Sequence, residues 1–271
     1  MEILSPAKLN LMLRILGQRD DGYHLLQTYF QLLNWGDMMQ FSLQQKDTIN
    51  VEGKFHGLKF EDNLIYKAAR LLLPYRKIKQ GIIISVKKNI PQGSGLGGGS
   101  SNAGTTLRVL NSLWKCQLSQ KKLQDLALTL GADVPIFVLN QSAMATGVGE
   151  NLKPHKIENY YFVLMFPTTG IATIDIFKDK NLNRTQKPIE LNNVAQHSKW
   201  TNACLPIVLN NYPEVKGIYE QASKRASVYM SGTGSTLFSR FDNQKQALDF
   251  VQQSPSHWRT QICQSKINEK N

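Results

Sequence analysis

At 271 residues and 41% hydrophobic, the chain is long enough for one large domain or two smaller ones with sizeable cores. Its net charge of +12 fits an enzyme of phosphorylated substrates, and because the basic residues are scattered rather than blocked, nucleic acid is not the expected partner. Cys116, Cys204 and Cys263 match neither a disulfide framework nor zinc spacing, no apolar run is long enough for a membrane span, and no signal peptide follows Met1; a cytoplasmic protein with free thiols is expected.

Ile3 to Leu16 reads as a strand, with Leu9, Leu11 and Leu13 alternating with Asn10 and Met12. A polar turn, Gln18 to Gly22, leads into an apolar, partly aromatic stretch from Tyr23 to Trp35, and Met38 to Leu43 reads as a separate strand. Asp62-Asn63 starts a helix that runs through Leu73 and stops at Pro74. Ile82 to Val86 is an apolar strand, and Ala103 to Leu110 is helical, with Ser100, Ser101 or Asn102 as its cap. Ser119 caps a further helix that Gly131 ends. After a change of pattern at 150–160, Tyr160 to Phe166 is a strand closed by Pro167-Thr-Thr-Gly170. Residues 179–199 read as an irregular surface loop, Pro213 to Arg225 as a helix, Ser227 to Met230 and Thr236 to Phe241 as short strands, and Asp242 to Gln253 as a helix. The polar tail after Lys266 is expected to fray. This mixture predicts an α+β protein with a boundary near residue 155.

The stretch with the most chemical content is Pro91-Gln92-Gly93-Ser94-Gly95-Leu96-Gly97-Gly98-Gly99-Ser100-Ser101, between a strand and a helix. Bare backbone amides behind a helix N-terminus form an anion site, usually for phosphate. No lysine follows Gly99, so this is not the nucleotide triphosphatase P-loop. Gly93, Gly95 and Gly98 satisfy G-x-G-x-x-G, but no Asp or Glu occurs between Asp62 and Asp125, where the dinucleotide fingerprint needs a ribose-binding acid. A dinucleotide-dependent oxidoreductase therefore stands as a weaker rival. The same acid-free stretch is rich in Lys and Arg, of which Lys87 and Lys88 lie just ahead of the loop.

Asp133, in Gly131-Ala-Asp-Val-Pro135, is either a general base for an alcohol or a turn-capping residue. Lys8, in an apolar strand, either snorkels to solvent or meets a transferring phosphoryl group. Tyr23 and His24 offer a stacking face and a hydrogen-bonding ring. Gly232-Thr233-Gly234 is either a second cradle of amides or a hairpin turn.

Ser5-Pro-Ala-Lys-Leu-Asn-Leu with Gly17-Gln-Arg-Asp-Asp-Gly-Tyr-His24, then Pro91 to Ser101, then Ser231-Gly-Thr-Gly-Ser-Thr-Leu-Phe238, resembles in kind and order the three motifs of the GHMP kinases, over nearly the whole chain. The Arg-x-Asp-Gly-Tyr-His segment points to the branch that acts on a cytidine diphosphate-linked methylerythritol in the non-mevalonate isoprenoid pathway, over homoserine, mevalonate or galactose kinases. The resemblance implies the GHMP kinase fold: a ribosomal S5 domain 2-like N-terminal domain (1–155), a ferredoxin-like C-terminal domain (156–271), and an active site in the cleft between them. It implies transfer of the γ-phosphoryl of ATP to a 2-hydroxyl, with Mg²⁺ accompanying the nucleotide. It makes Asp133 the base and Lys8 its partner. Pro91 to Ser101 becomes the ATP loop, with Lys88 near the adenine, and Asn10, Tyr23, His24, Phe30, Thr173 and Phe177 hold the cytidyl substrate. The oligomeric expectation is a monomer or weak homodimer. One departure is visible: the family's Asn-Asp-x-Glu is here Asn202-Ala-Cys-Leu205, which puts domain packing in question. An S5-like domain with a charge of +12 leaves an RNA-binding module as a second rival.

Overall fold

A computed structural model describes residues 1–55, 57 and 59–266; the tail after Lys266 lies outside them. Alternation of apolar residues produces two long strands at the N-terminus, β1 (Glu2–Gln18) and β2 (His24–Gln44), which pair with each other. Between them a turn closes through bonds from Gly22 N to Arg19 O (2.9 Å) and Arg19 N to Tyr23 O (2.8 Å). The sequence predicts a break between Trp35 and Met38, whereas β2 is continuous there. Gly36 explains it. A Cβ at this position would lie 2.0 Å from the Ser5 carbonyl oxygen, so glycine lets the two backbones pass, while the polar Asp37 beside it is buried with its own partners.

The chain forms two compact units interleaved in sequence. One comprises Met1–Ala7, Trp35–Pro91 and Gly97–Gln141; the other comprises Lys8–Asn34, Gln92–Leu96 and the chain from Ser142 onward. In the first unit, the second half of β2 pairs antiparallel with β4 (Gly81–Lys87), and β4 pairs in parallel with β3 (Ile49–Gly53). Helices α1 (Leu64–Leu72), α2 (Gly98–Leu113), α3 (Gln120–Leu128) and α4 (Val134–Leu139) belong to this unit. Asn63 caps α1 and Ser119 caps α3, each accepting a backbone N–H as the sequence predicts. The core joins Met39, Phe41, Ile82 and Ile84 of the strands to Ile65, Leu72, Leu107 and Trp114 of the helical segments.

In the second unit, the start of β2 pairs with β5 (Ala143–Gly147) and β5 with β6 (Asn151–Pro154). A separate antiparallel sheet holds β7 (Tyr161–Phe166), β8 (Val228–Met230), β9 (Leu237–Phe241) and β10 (Arg259–Gln264) in the order β10-β7-β9-β8. With α5 (Thr173–Lys178), α6 (Leu205–Asn211) and α7 (Pro213–Ser223) between β7 and β8, and α8 (Gln244–Gln252) between β9 and β10, this is the ferredoxin-like arrangement. Residues 179–199 contain short 3₁₀ turns at Leu191–Ala195 and His197–Lys199 where the sequence reads only loop. Among the described residues, no helix is long and apolar enough to cross a membrane.

Candidate active site

In the first unit β4 delivers the chain to the glycine loop, and α2 receives it. The helix starts earlier than its apolar pattern predicts. Its N-cap is Gly97 in the left-handed conformation (φ 75°), not Ser100, Ser101 or Asn102. A left-handed cap is a glycine position, and it leaves the following amides facing outward. The predicted caps lie inside the first turns of α2. Ser101 Oγ donates to Pro6 O at 2.6 Å, and Asn102 Nδ2 donates to Ser5 Oγ at 3.0 Å. Lys88 Nζ donates to the Asp37 carboxylate and to Asn102 Oδ1 (2.9 Å), so its ammonium is tied to β2 and α2. Asp133 stands at the N-cap position of α4, and its side chain makes no capping hydrogen bond to that helix. Its position is set by close contact between α4 and α2 at Gly104, where an added Cβ would lie 2.6 Å from Phe137 Cβ.

In the second unit, Lys8 is 2% exposed and does not snorkel. Its Nζ donates to Gly95 O (2.8 Å) and Asn10 Oδ1 (2.5 Å) and lies 5.5 Å from the Phe30 ring centroid. Phe30 is buried beneath that cation rather than presented at the surface. Gly95 (φ 75°) packs directly on the turn at 231–235: a Cβ would fall 2.2 Å from Ser231 O. Ser231 Oγ donates to Gly95 O at 2.9 Å and accepts from Asn10 N at 3.2 Å, and Thr236 N donates to Ser94 O at 3.2 Å. Thus residues 92–96 and the Gly232-Thr233-Gly234 turn form one backbone assembly with Lys8 at its seam. Thr173 joins it through a 3.0 Å contact between its hydroxyl and that of Thr233.

His24 stacks on Phe177, with centroids 4.9 Å apart and planes 25° from parallel. Arg184 Nε donates to His24 Nε2 at 3.1 Å, while its other nitrogens donate to Phe177 O (2.8 Å), Asp179 O (3.0 Å) and Leu182 O (3.2 Å). Burial, and then the Arg184 charge, lower the His24 pKa. The neutral ring therefore accepts at Nε2 and carries its proton on Nδ1. Tyr23 is 62% exposed. Asn10 Nδ2 donates to Thr28 Oγ1 (2.8 Å), which fixes the amide that receives Lys8.

Arg184 and Asp37 do not emerge as site residues from the sequence, because nothing in their local spacing marks them; Ser231 and Asn202 appear there only as members of the third motif and of the altered Asn-Asp-x-Glu pattern, with no role of their own. Asn202 Nδ2 donates to Met230 O and Gly232 O, each at 2.8 Å, and so holds the second glycine turn. Ala203 and Cys204 are buried, and Ala203 N donates to Leu13 O at 2.8 Å, so the departure from the family pattern leaves this part of the second unit packed. Among the described residues no group of three or more His, Cys, Asp or Glu could hold a metal ion.

Residues 63–141 match the model of the GHMP kinases N terminal domain, and residues 177–259 match that of the GHMP kinases C terminal. The chain is 43% identical to the 4-diphosphocytidyl-2-C-methyl-D-erythritol kinase of Marinomonas sp. (strain MWYL1), over 97% of this chain and 86% of that one. It is 44% identical to the kinase of the same name from Pseudoalteromonas translucida (strain TAC 125), over 97% of this chain and 92% of the relative. A crystal structure of 4-(cytidine 5'-diphospho)-2C-methyl-D-erythritol kinase superposes with a TM-score of 0.84 at 29% identity, covering 98% of this chain and all of that one. Neither rival suggested by the loop or the charge is supported by these likenesses. With its three motifs, its two matched domains and relatives aligned along nearly its whole length, the chain belongs to the GHMP kinases, in the 4-diphosphocytidyl-2-C-methyl-D-erythritol kinase family.

Proposed function

We propose that this enzyme transfers the γ-phosphoryl group of ATP to the 2-hydroxyl of 4-diphosphocytidyl-2-C-methyl-D-erythritol, giving the 2-phosphate and ADP, in the cytoplasm and for isoprenoid precursor synthesis. The observation that carries the reading is the buried Lys8 at the seam of two glycine segments, with Nζ bonded to Gly95 O and Asn10 Oδ1. A cation that is desolvated and fixed costs little reorganisation when negative charge develops near it.

Phosphoryl transfer depends mainly on positioning and charge neutralisation. The amides of residues 93–101 and the start of α2 hold the nucleotide phosphates, with Lys88 supporting the loop on the adenine side. Mg²⁺, as a hard cation suited to oxygen ligands, would accompany ATP and supply neutralisation of phosphate charge. Asp133 accepts the proton of the attacking hydroxyl. Lys8 stabilises the charge on the transferring group, and Asn10 and Phe30 hold Lys8 in place. Tyr23 and Phe177 supply stacking faces for cytosine, the Nδ1–H of His24 reads its edge, and Thr173 contacts the diphosphate end. We keep residue 155 as the boundary between an N-terminal GHMP kinase domain, with the ATP loop and catalytic residues, and a C-terminal GHMP kinase domain.

A coupled ADP-release assay with the cytidyl substrate, homoserine and mevalonate tests the reading. Turnover with the cytidyl substrate alone is expected; turnover with either of the others in its place refutes the assignment. Asp133→Asn is expected to melt like the wild type and to lose about 10²–10⁴-fold in kcat, and near-normal turnover removes Asp133 as base.

A further inference from the structure

Asp37 takes no part in the chemistry above, yet its carboxylate is completely buried and receives four donors. Oδ1 accepts from Asn89 N (2.7 Å) and Ile90 N (2.9 Å); Oδ2 accepts from Asn102 Nδ2 (3.0 Å) and Lys88 Nζ. Lys88, Asn89 and Ile90 immediately precede the glycine loop, and Asn102 immediately follows it. One carboxylate therefore joins the chain entering the loop to the chain leaving it. Asn89 Nδ2 adds a bond to Gly36 O at 2.8 Å, beside Asp37 on the same strand.

A loop made largely of glycine has few side chains with which to fix itself, and glycine has the most conformational freedom to lose. Its shape must be imposed at its ends. Bonds to an ionised acceptor are roughly twice as strong as neutral ones, so a buried carboxylate is a firm clamp. Lys88 supplies a compensating charge, so the clamp adds no net negative charge beside an anion site.

We propose that Asp37 is a positioning residue for the nucleotide: it sets the spacing of the two ends of the phosphate loop and the angle at which α2 presents its first amides. The proposal rests on reading Pro91–Ser101 as the ATP loop. Removing the carboxylate weakens ATP and leaves the cytidyl substrate alone, an asymmetry that a merely structural role does not produce.

The test is calorimetric titration of a non-hydrolysable ATP analogue and, separately, of the cytidyl substrate into the wild type, Asp37→Asn and the double variant Asp37→Asn/Asn102→Asp. In the single variant the amide oxygen keeps Asn89 and Ile90, but its NH₂ faces Lys88 and Asn102, which are donors. The ATP analogue is expected to bind about 10- to 100-fold more weakly, with cytidyl affinity unchanged. In the double variant the new NH₂ donates to the carboxylate moved to position 102, Lys88 keeps an anionic partner, and most of the ATP affinity returns. Wild-type ATP affinity in Asp37→Asn, equal loss of both ligands, or a double variant no better than the single one overturns the proposal. Should the single variant fail to fold, Asn102→Ala, which keeps the carboxylate but cuts its link to α2, carries the test, with a selective loss of ATP affinity expected and either unchanged ATP affinity or equal loss of both ligands refuting. Failure of the loop reading itself looks different: the wild type then does not bind the analogue.

Discussion

Replacing Gly104 by Ala separates stability from catalysis. Gly104 lies in α2, where an added Cβ sits 2.6 Å from Phe137 Cβ, 3.0 Å from Phe137 C and 3.1 Å from Val134 O. Carbon atoms rest about 3.5–4.0 Å apart, so α4 must retreat by roughly 1 Å. Phe137 and Val134 are fully buried and cannot swing away. Overpacking of this kind costs about 1–3 kcal/mol, and Ala returns about 1 kcal/mol in helix propensity, so the net destabilisation is about 0–2 kcal/mol. Asp133 heads α4 and moves with it, and a displacement near 1 Å costs on the order of 10²-fold in rate. Urea unfolding and the ADP-release assay measure the two quantities side by side. Gly217→Ala in α7, where a Cβ meets nothing within 4 Å, isolates the propensity gain and is expected to raise stability with turnover unchanged. If Gly104→Ala turns over at the wild-type rate, the contact at Gly104 does not position the base.

Gly95→Ala places a Cβ 2.2 Å from Ser231 O at a φ of 75°, so the melting temperature is expected to fall and the KM for ATP to rise; a normal KM would detach residues 92–96 from the nucleotide. Arg184→Ala removes the Nε bond to His24 Nε2, and loss of one such hydrogen bond should reduce the preference for cytidyl over uridyl ligands by up to about tenfold in affinity ratio, read by calorimetry, with an unchanged ratio refuting the role. Glu214 accepts from Thr168 N (2.7 Å), Thr168 Oγ1 (2.9 Å), Thr169 N (3.0 Å) and Thr169 Oγ1. Burial alone would raise its pKa, but these bonds outweigh burial and hold it down at about 2 against an ordinary 4.5. Its folded pKa is depressed, so its stabilisation is complete above 4.5 and is lost as pH falls toward 2; Glu214→Gln should flatten that acid limb in melts against pH, and superimposable curves would exclude it as the titrating group.

Much of this arrangement is legible in the sequence because its signals are local. Alternating leucines declare β1, Asn63 and Ser119 declare helix starts, and a strand running into five glycines declares an anion loop. What stayed hidden depends on partners far along the chain. Gly36 reads as a break until Ser5 is seen behind it. Gly97 rather than a serine caps α2, because Ser101 and Asn102 turn toward Ser5, Pro6 and Asp37. Arg184 lies in a polar stretch with no pattern, and only the end of α5 and His24 give it a purpose. Asp37 is one acid in an apolar strand, and nothing in its neighbours announces four donors. The short elements α5 and α6 carry too few residues for a periodicity to emerge.

The interleaving of the two units bears on how the chain is made. Leu13 is held by Thr201 and Ala203, with Leu13 N donating to Thr201 O and Ala203 N donating to Leu13 O, each at 2.8 Å. On a ribosome adding about 5–20 residues per second, the partners of Leu13 arrive about 10 s or more after it does. Until then the apolar residues from Leu9 to Ile15 have left the exit tunnel without the segment that completes their unit. The loop residues 92–96 face a similar wait for the turn at 231–235. All segments of the first unit have been made once Gln141 is added, whereas the second unit, begun at Lys8, waits for the far end of the chain. This enzyme is therefore expected to need protection during synthesis, and to tolerate poorly any truncation or chain split that parts its first forty residues from its last hundred.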